Sequence, residues 1–179
     1  MNIWKLKFLV DKFDNFILER PFSLVEIQAF DGRSHIDDWR PLVVKRMEPE
    51  KKLDLGDAPG FNIPVLSKKA LDCLLPLIKE NTEILPLIFD ENDFFALNIT
   101  TVLDAVNYSE SVYKTFRDGK RIMAFEKYSF IPEKVSGIPM FKIIDEKTRY
   151  GFVSDEIKRI VEDNNLNGFD FELVWKMGN

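Results

Sequence analysis

Two residue types that most often carry chemistry are nearly missing from this chain. Of 179 residues, one is a cysteine, Cys73, and one is a histidine, His35. A lone cysteine excludes an intrachain disulfide, so an oxidising compartment is not required. A lone histidine excludes any site that needs two imidazoles, and no Cys–His pair stands at zinc-ligand spacing. The 8 glycines are scattered, and the chain has neither a GxGxxG nor a GxxxxGK[ST] phosphate loop nor a GxSxG elbow. No apolar run approaches a bilayer span. Asp11 falls where a signal peptide would need its apolar stretch, so the expected location is the cytoplasm. Positive charge is in deficit, with 25 basic against 30 acidic residues and a net charge of −5. That balance disfavours non-specific binding to nucleic acid or anionic membrane. Lys68-Lys69 and Lys158-Arg159 sit among acids without aromatic interleaving. The expectation is a protein without cofactor, metal or catalytic residues.

Apolar patterning, by contrast, is abundant. Hydrophobic residues make up 45% of the chain, enough for a real core, and the 16 phenylalanines suit aromatic strand faces. Trp4, Leu6, Phe8 and Val10 alternate as a half-buried strand does, and Asp14-Asn15 offers a turn into Phe16-Ile17-Leu18 as a hairpin. Residues 22–30 and Leu42-Val43-Val44 read as further strands. Between Glu48 and Pro64, Pro49, Gly56, Pro59 and Gly60 mark a linker or long loop. The division expected is an N-terminal β lobe over 1–47, a linker over 48–64 and a main body over 65–179, which are open to reading as one continuous domain.

The body opens with Ser67 as a helix cap, followed by Ala70, Leu71, Leu74, Leu75 and Ile78 at helical spacing. Pro76 predicts a kink or an end near Leu75. Ile84–Phe89 and Phe94–Ile99 read as a hairpin, 101–116 stays open between broken helix and loop, and strands follow over 121–130 and 140–144. Ser154 caps a second helix over 155–163, with Asp155 and Glu156 at its positive end. Phe169, Phe171, Leu173 and Trp175 then fall on one face of a closing strand. Val65-Leu66-Ser67 and Phe152-Val153-Ser154 share a plan that common capping chemistry explains without a repeat. Runs of strands without regular βαβ alternation predict an α+β fold: a mainly antiparallel sheet with two principal helices packed on it.

His35 reads as an ordinary surface histidine and Cys73 as a small core residue. Paired carboxylates can bind metal or do acid–base work, but Asp90, Glu91 and Asp93 lack the glycine and distal glutamate of a calcium loop. They read as a solvated turn, and Asp37-Asp38-Trp39 as a polar loop. Both sets are candidate contacts for a basic partner, with Trp39 as an aromatic anchor.

Several segments, read in order, resemble a bacterial immunity-protein family of polymorphic toxin systems, immunity protein family eleven. They are Val65-Leu66-Ser67, Glu83-Ile84-Leu85-Pro86-Leu87, Leu97-Asn98-Ile99 with Leu103-Asp104-Ala105, and Ile138-Pro139-Met140-Phe141. Phe152-Val153-Ser154-Asp155 and Leu166-Asn167-Gly168-Phe169-Asp170-Phe171 complete the set. These are strand edges, caps and turns over roughly 40–175, and a sister immunity family shares a similar ending. The resemblance implies a non-enzymatic cytoplasmic antidote that neutralises a cognate toxin by protein–protein contact. An adaptor or regulatory module is the alternative, and an enzyme using carboxylates a third class.

Overall fold

The computed structural model describes residues 1–19, 30–51, 55–59, 63–89, 93–149 and 151–177. The strand expected over 22–30 falls almost wholly outside them. Local capping sets the first helix. Ser67 ends strand β4 (Val65–Ser67) in extended backbone, and its Oγ accepts from the Ala70 amide at 3.1 Å, which starts α1 (Lys68–Ile78). The same hydroxyl donates to Asp57 at 2.8 Å. Of the kink or end expected near Leu75, the end does not occur: the helix runs through Pro76 to Ile78. Pro76 and Asp72, whose carbonyl loses its usual amide, both face solvent, so water can satisfy that carbonyl, while buried Leu74 and Ile78 hold the inner face. The Lys79 amide bonds the Leu75 carbonyl at 3.1 Å and resumes the ladder beyond the proline.

The last helix is tied down differently. Ser154 has the backbone of a cap, but its side chain makes no capping bond, against expectation. Asp155 instead accepts from the Asn2 amide (2.8 Å), the Asn2 side chain (2.9 Å) and the Trp4 indole (2.9 Å). The start of this helix is thereby fastened to the first strand of the chain.

The strands, in chain order, are β1 (Asn2–Phe8), β2 (Phe16–Leu18), β3 (Leu42–Arg46), β4, β5 (Thr82–Ile88), β6 (Phe94–Ile99) and β7 (Val102–Leu103). They continue with β8 (Val112–Thr115), β9 (Ile122–Lys127), β10 (Met140–Ile143), β11 (Phe152–Ser154) and β12 (Phe169–Lys176). The remaining helices are a short α2 (Pro132–Val135) and α3 (Asp155–Asp163). The fold is α+β and rich in strands. It differs from the single sheet expected: there are two five-stranded sheets, ordered β12-β1-β11-β10-β7 and β2-β3-β5-β6-β4, and a separate β8–β9 hairpin. Each large sheet is mixed, because β10 pairs parallel to β7 and β3 parallel to β5. Parallel neighbours need a long crossover, and the α1 segment and the β8–β9 segment supply those two.

The expected hairpin between β1 and Phe16–Leu18 is absent. β1 lies antiparallel between β11 and β12, while β2 pairs with β3 through Phe16↔Arg46. Residues of the expected N-terminal lobe are thus shared between both sheets. Two units of the fold match in plan. β4 and β5, joined by α1, flank the antiparallel β6, and β11 and β12, joined by α3, flank the antiparallel β1. The shared plan of the two helical segments is therefore topological, while the capping chemistry differs.

Both helices and one face of each sheet share a core that includes Leu6, Leu71, Leu74, Leu97, Ile99, Met140, Val153, Ile157 and Val161. The opposite face of the first sheet (Ile3, Phe141, Phe152) packs on Tyr128 and Phe130. That of the second (Phe16, Val44, Leu85, Phe94) forms a third cluster. With two covered faces, simple alternation fails in β1, where Ile3, Lys5 and Leu6 are all buried. It fails again in β12, where the register against β1 shifts between Ile3 and Trp4. Ile3 faces Trp175 but Trp4 faces Leu173, so Val174 is an extra residue of the bulge kind. Phe169 and Phe171 stay with the first core, Trp175 reaches Phe130 at 5.8 Å in the second, and Leu173 is exposed.

The described part of the proline- and glycine-containing stretch docks on the chain's end. The Ala58 amide bonds the Asn167 carbonyl at 3.1 Å, and Asp57 accepts from the Asn167 amide at 2.9 Å. Gly168 has φ +89°, and a Cβ there would stand 2.7 Å from the Ala58 carbonyl oxygen. Gly168→Ala should cost roughly 3 kcal/mol, strain and clash together. Gly119→Ala (φ +66°, open space around its Cβ) should cost only ~1 kcal/mol. Urea unfolding of both variants checks this, and equal losses would refute the docking role of Gly168.

Candidate functional site

β3 covers only Leu87 and Ile88 on the outer edge of β5. The edge before them meets the loop that leads into β3. Glu83 is the hub: its carboxylate accepts from the Ser34 hydroxyl, from the His35 amide at 2.8 Å and from Asn98 Nδ2 at 2.9 Å. Burial works to raise its pKa, but the bonds from Ser34, His35, Asn98 and Ile36 together outweigh that and hold it below its ordinary value. Asn98 is fully buried and also donates to the Arg33 carbonyl at 2.7 Å. Further along, the Trp39 indole donates to the Pro86 carbonyl at 2.9 Å.

The candidate contacts sit around this clamp. Asp37 and Asp38 are exposed on the loop. Trp39 is half-buried, edge-on to Phe30 at 6.1 Å, and wedges the loop against β5. Asp93 is exposed, and its carbonyl accepts from the Lys68 amide at 3.0 Å. It comes two residues before Phe95, the partner of Pro86, so Asp93 and the Asp37–Trp39 loop both border the β5–β6 pair. Asp90 and Glu91 lie outside the described residues. His35 is half-buried, its ring 5.2 Å from that of Phe30, and Cys73 is half-buried against the helical core. Among the described residues no group of three or more His, Cys, Asp or Glu is placed to hold a metal ion.

Sequence reasoning missed the buried polar residues that join the two sheets. Lys142 on β10 is buried and donates to the Phe30 carbonyl, in the same loop. Burial pushes its pKa down to about 8, with Asp31 pulling the other way. Asp31 is held far below the usual carboxylate range, chiefly by the fork of Arg33 (two bonds of 2.9 Å), with Lys147 at 3.3 Å adding to it. On the far side of the first sheet, buried Lys5 lies 4.8 Å from the Tyr128 ring centre, and Tyr128 donates to buried Glu146 at 2.7 Å. A signal for these was present. Lys5, Asn98 and Lys142 each interrupt an apolar strand, where a polar group must find a partner.

The arrangement fixes one exposed acidic loop on a rigid sheet edge. Residues 89–176 match the model described as Immunity protein family (Imm11). The family resemblance is shown over that stretch. It runs from the end of β5 through β12, so it takes in Asp93, the hairpin and α3 but not β1 or the Asp37–Trp39 loop. No curated protein matches the chain. Among the described residues no helix is long and apolar enough to cross a membrane.

Lys142 allows a test of how tightly the Imm11-matched sheet grips that loop. Its folded pKa lies below the ordinary 10.5, so below pH 8 it is charged in both states and the folded state bears the burial cost. Between about 8 and 10.5 the unfolded chain keeps a proton that the folded chain has shed, and stability must rise with pH. Unfolding of the parent and of Lys142→Met across that range should show the parent gaining on the variant. A constant difference would show that Lys142 is solvated.

Proposed function

We propose that the chain is an antidote: it binds a cognate bacterial toxin in the cytoplasm and neutralises it by protein–protein contact, without catalysis. The observation that carries this is the match of residues 89–176 to an immunity family. The net charge of −5 suits a toxin with a basic face, because complementary charge speeds encounter. Asp37, Asp38, Trp39, Asp90, Glu91 and Asp93 are the proposed contacts. We further propose that 1–47, 48–64 and 65–179 work as one continuous domain, since β1 completes a sheet whose other strands come from the C-terminal half.

Co-expression tests the reading directly. The antidote reading expects a toxin domain encoded beside this gene; that domain should kill cells alone and spare them when this chain is present, and the two should co-purify. Continued killing at full expression of this chain, with no complex, would overturn it. Replacing Asp37, Asp38, Asp90 and Asp93 by Asn and Glu91 by Gln should slow association and flatten its salt dependence, with stability nearly unchanged. Stopped-flow rates at two ionic strengths read this out, and identical rates and slopes would remove these loops from the interface.

A further inference from the structure

The β8–β9 hairpin stands apart from both large sheets, and its two strands pair only with each other among the described strands. Residues 112–121 are exposed without interruption. A two-stranded hairpin is marginal in water by itself. This one is held from one side by a run of aromatic rings: Tyr108 to Tyr113 at 6.0 Å, Tyr113 to Phe125 at 5.7 Å and Phe125 to buried Tyr128 at 4.8 Å. It is held a second time near its tip, where the Arg149 guanidinium donates to the Met123 carbonyl at 2.7 Å. The anchored hairpin presents its free surface in one conformation, which lowers the ordering cost of binding.

That free surface has two properties at once. It is apolar, with Val112 (47% exposed), Met123 (39%), Tyr113 (38%) and Phe116 (38%) grouped on one small element. It is also basic in an acidic protein. Residues 112–127 hold Lys114, Arg117, Lys120, Arg121 and Lys127 against Asp118 and Glu126, a net of +3 where the whole chain carries −5. Lys114 is paired with Glu126 (2.6 Å) and Arg121 with Asp118 (2.6 Å). Arg117, Lys120 and Lys127 form no ion pair among the described residues. Lysines alone would be ordinary protection of a strand edge against unwanted pairing. Protection gives no reason to expose a phenylalanine, a tyrosine, a methionine and a valine beside them. A cationic tip around an aromatic side chain is the composition of an interface hot spot.

We propose that this hairpin is the docking element for the toxin, and that it enters a groove on the toxin that is lined by carboxylates. The occupant is a protein with an acidic groove, because the apolar side chains need a shaped wall and the unpaired cations need fixed negative charge. The proposal rests on the antidote reading and deepens it. It assigns the principal contact to the family-matched segment rather than to the Asp37–Trp39 loop. One short segment reaches towards both patches: Lys147 bonds Asp31, in the loop that leads to Asp37, while Arg149, two residues on, bonds the hairpin. A single toxin can therefore engage both.

The experiment uses the full chain and the purified toxin domain encoded beside its gene, with three variants: the double Arg117→Glu/Lys120→Glu, Phe116→Ala, and Asp37→Asn/Asp38→Asn for comparison. Thermal melting confirms that each is folded. The charge-reversal variant should associate about tenfold more slowly at low salt and lose the parent's salt dependence at the hairpin. Phe116→Ala should dissociate about tenfold faster. The acidic-loop variant should change less than either. Association and dissociation within twofold of the parent for both hairpin variants would overturn the proposal and leave the antidote reading standing. A parent chain that neither binds nor rescues would overturn both.

Discussion

Everything in the first sheet depends on the placement of β1 between β11 and β12. Those two strands run parallel, joined by α3, with one strand's width left between them. An empty slot would leave two rows of backbone donors and acceptors unpaired inside a core, which is costly for every group left unsatisfied. β1 fills the slot with seven residues, and Asn2 and Trp4 then hold Asp155 at the start of α3. Burial raises the pKa of that carboxylate, and the bonds from Trp4 and Asn2 more than reverse it, so it stays charged where the helix dipole favours an anion. The chain's beginning and its end are therefore one structural unit.

The second sheet solves the same problem within a shorter stretch. There β6 follows β5 directly and fills the slot between β4 and β5. The difference in connection explains how each part could be read from sequence. β5 and β6 are local in sequence, two apolar runs separated by a short polar turn, so their hairpin is legible. β1 alternates enough to read as a strand, but it pairs with strands some 150 residues away, a contact that no local pattern encodes. β12 shows the same limit, because a single extra residue at Val174 sends Trp175 to the opposite core.

Capping illustrates a finer point. Ser67 and Ser154 occupy equivalent places before equivalent helices, yet only Ser67 uses its hydroxyl. At α3 the load falls on Asp155, whose partners come from β1. Residue type identified both helix starts but not how each is held: Ser67 caps its own helix, whereas Asp155 ties α3 to β1. The candidate surface follows the same rule. The acidity of Asp37 and Asp38 was legible, whereas Trp39's bond to Pro86 and the Glu83 hub required the sheet edge to be in view. The exposed hairpin was legible in half: the strand expected over 121–130 contains β9, whereas β8 falls in the stretch left open between broken helix and loop, where two register shifts spoil the alternation.

The family-matched segment spans 89–176 and lacks β1. The central claim is that this segment cannot hold its own fold without the first strand. The direct measurement is a two-dimensional amide NMR spectrum of residues 10–177, a fragment that lacks only β1, compared with the same residues in the full chain. The account predicts collapsed, poorly dispersed resonances for β11, α3 and β12 in the fragment, against full dispersion in the intact protein. A well-dispersed fragment spectrum that overlays on the intact protein would contradict it.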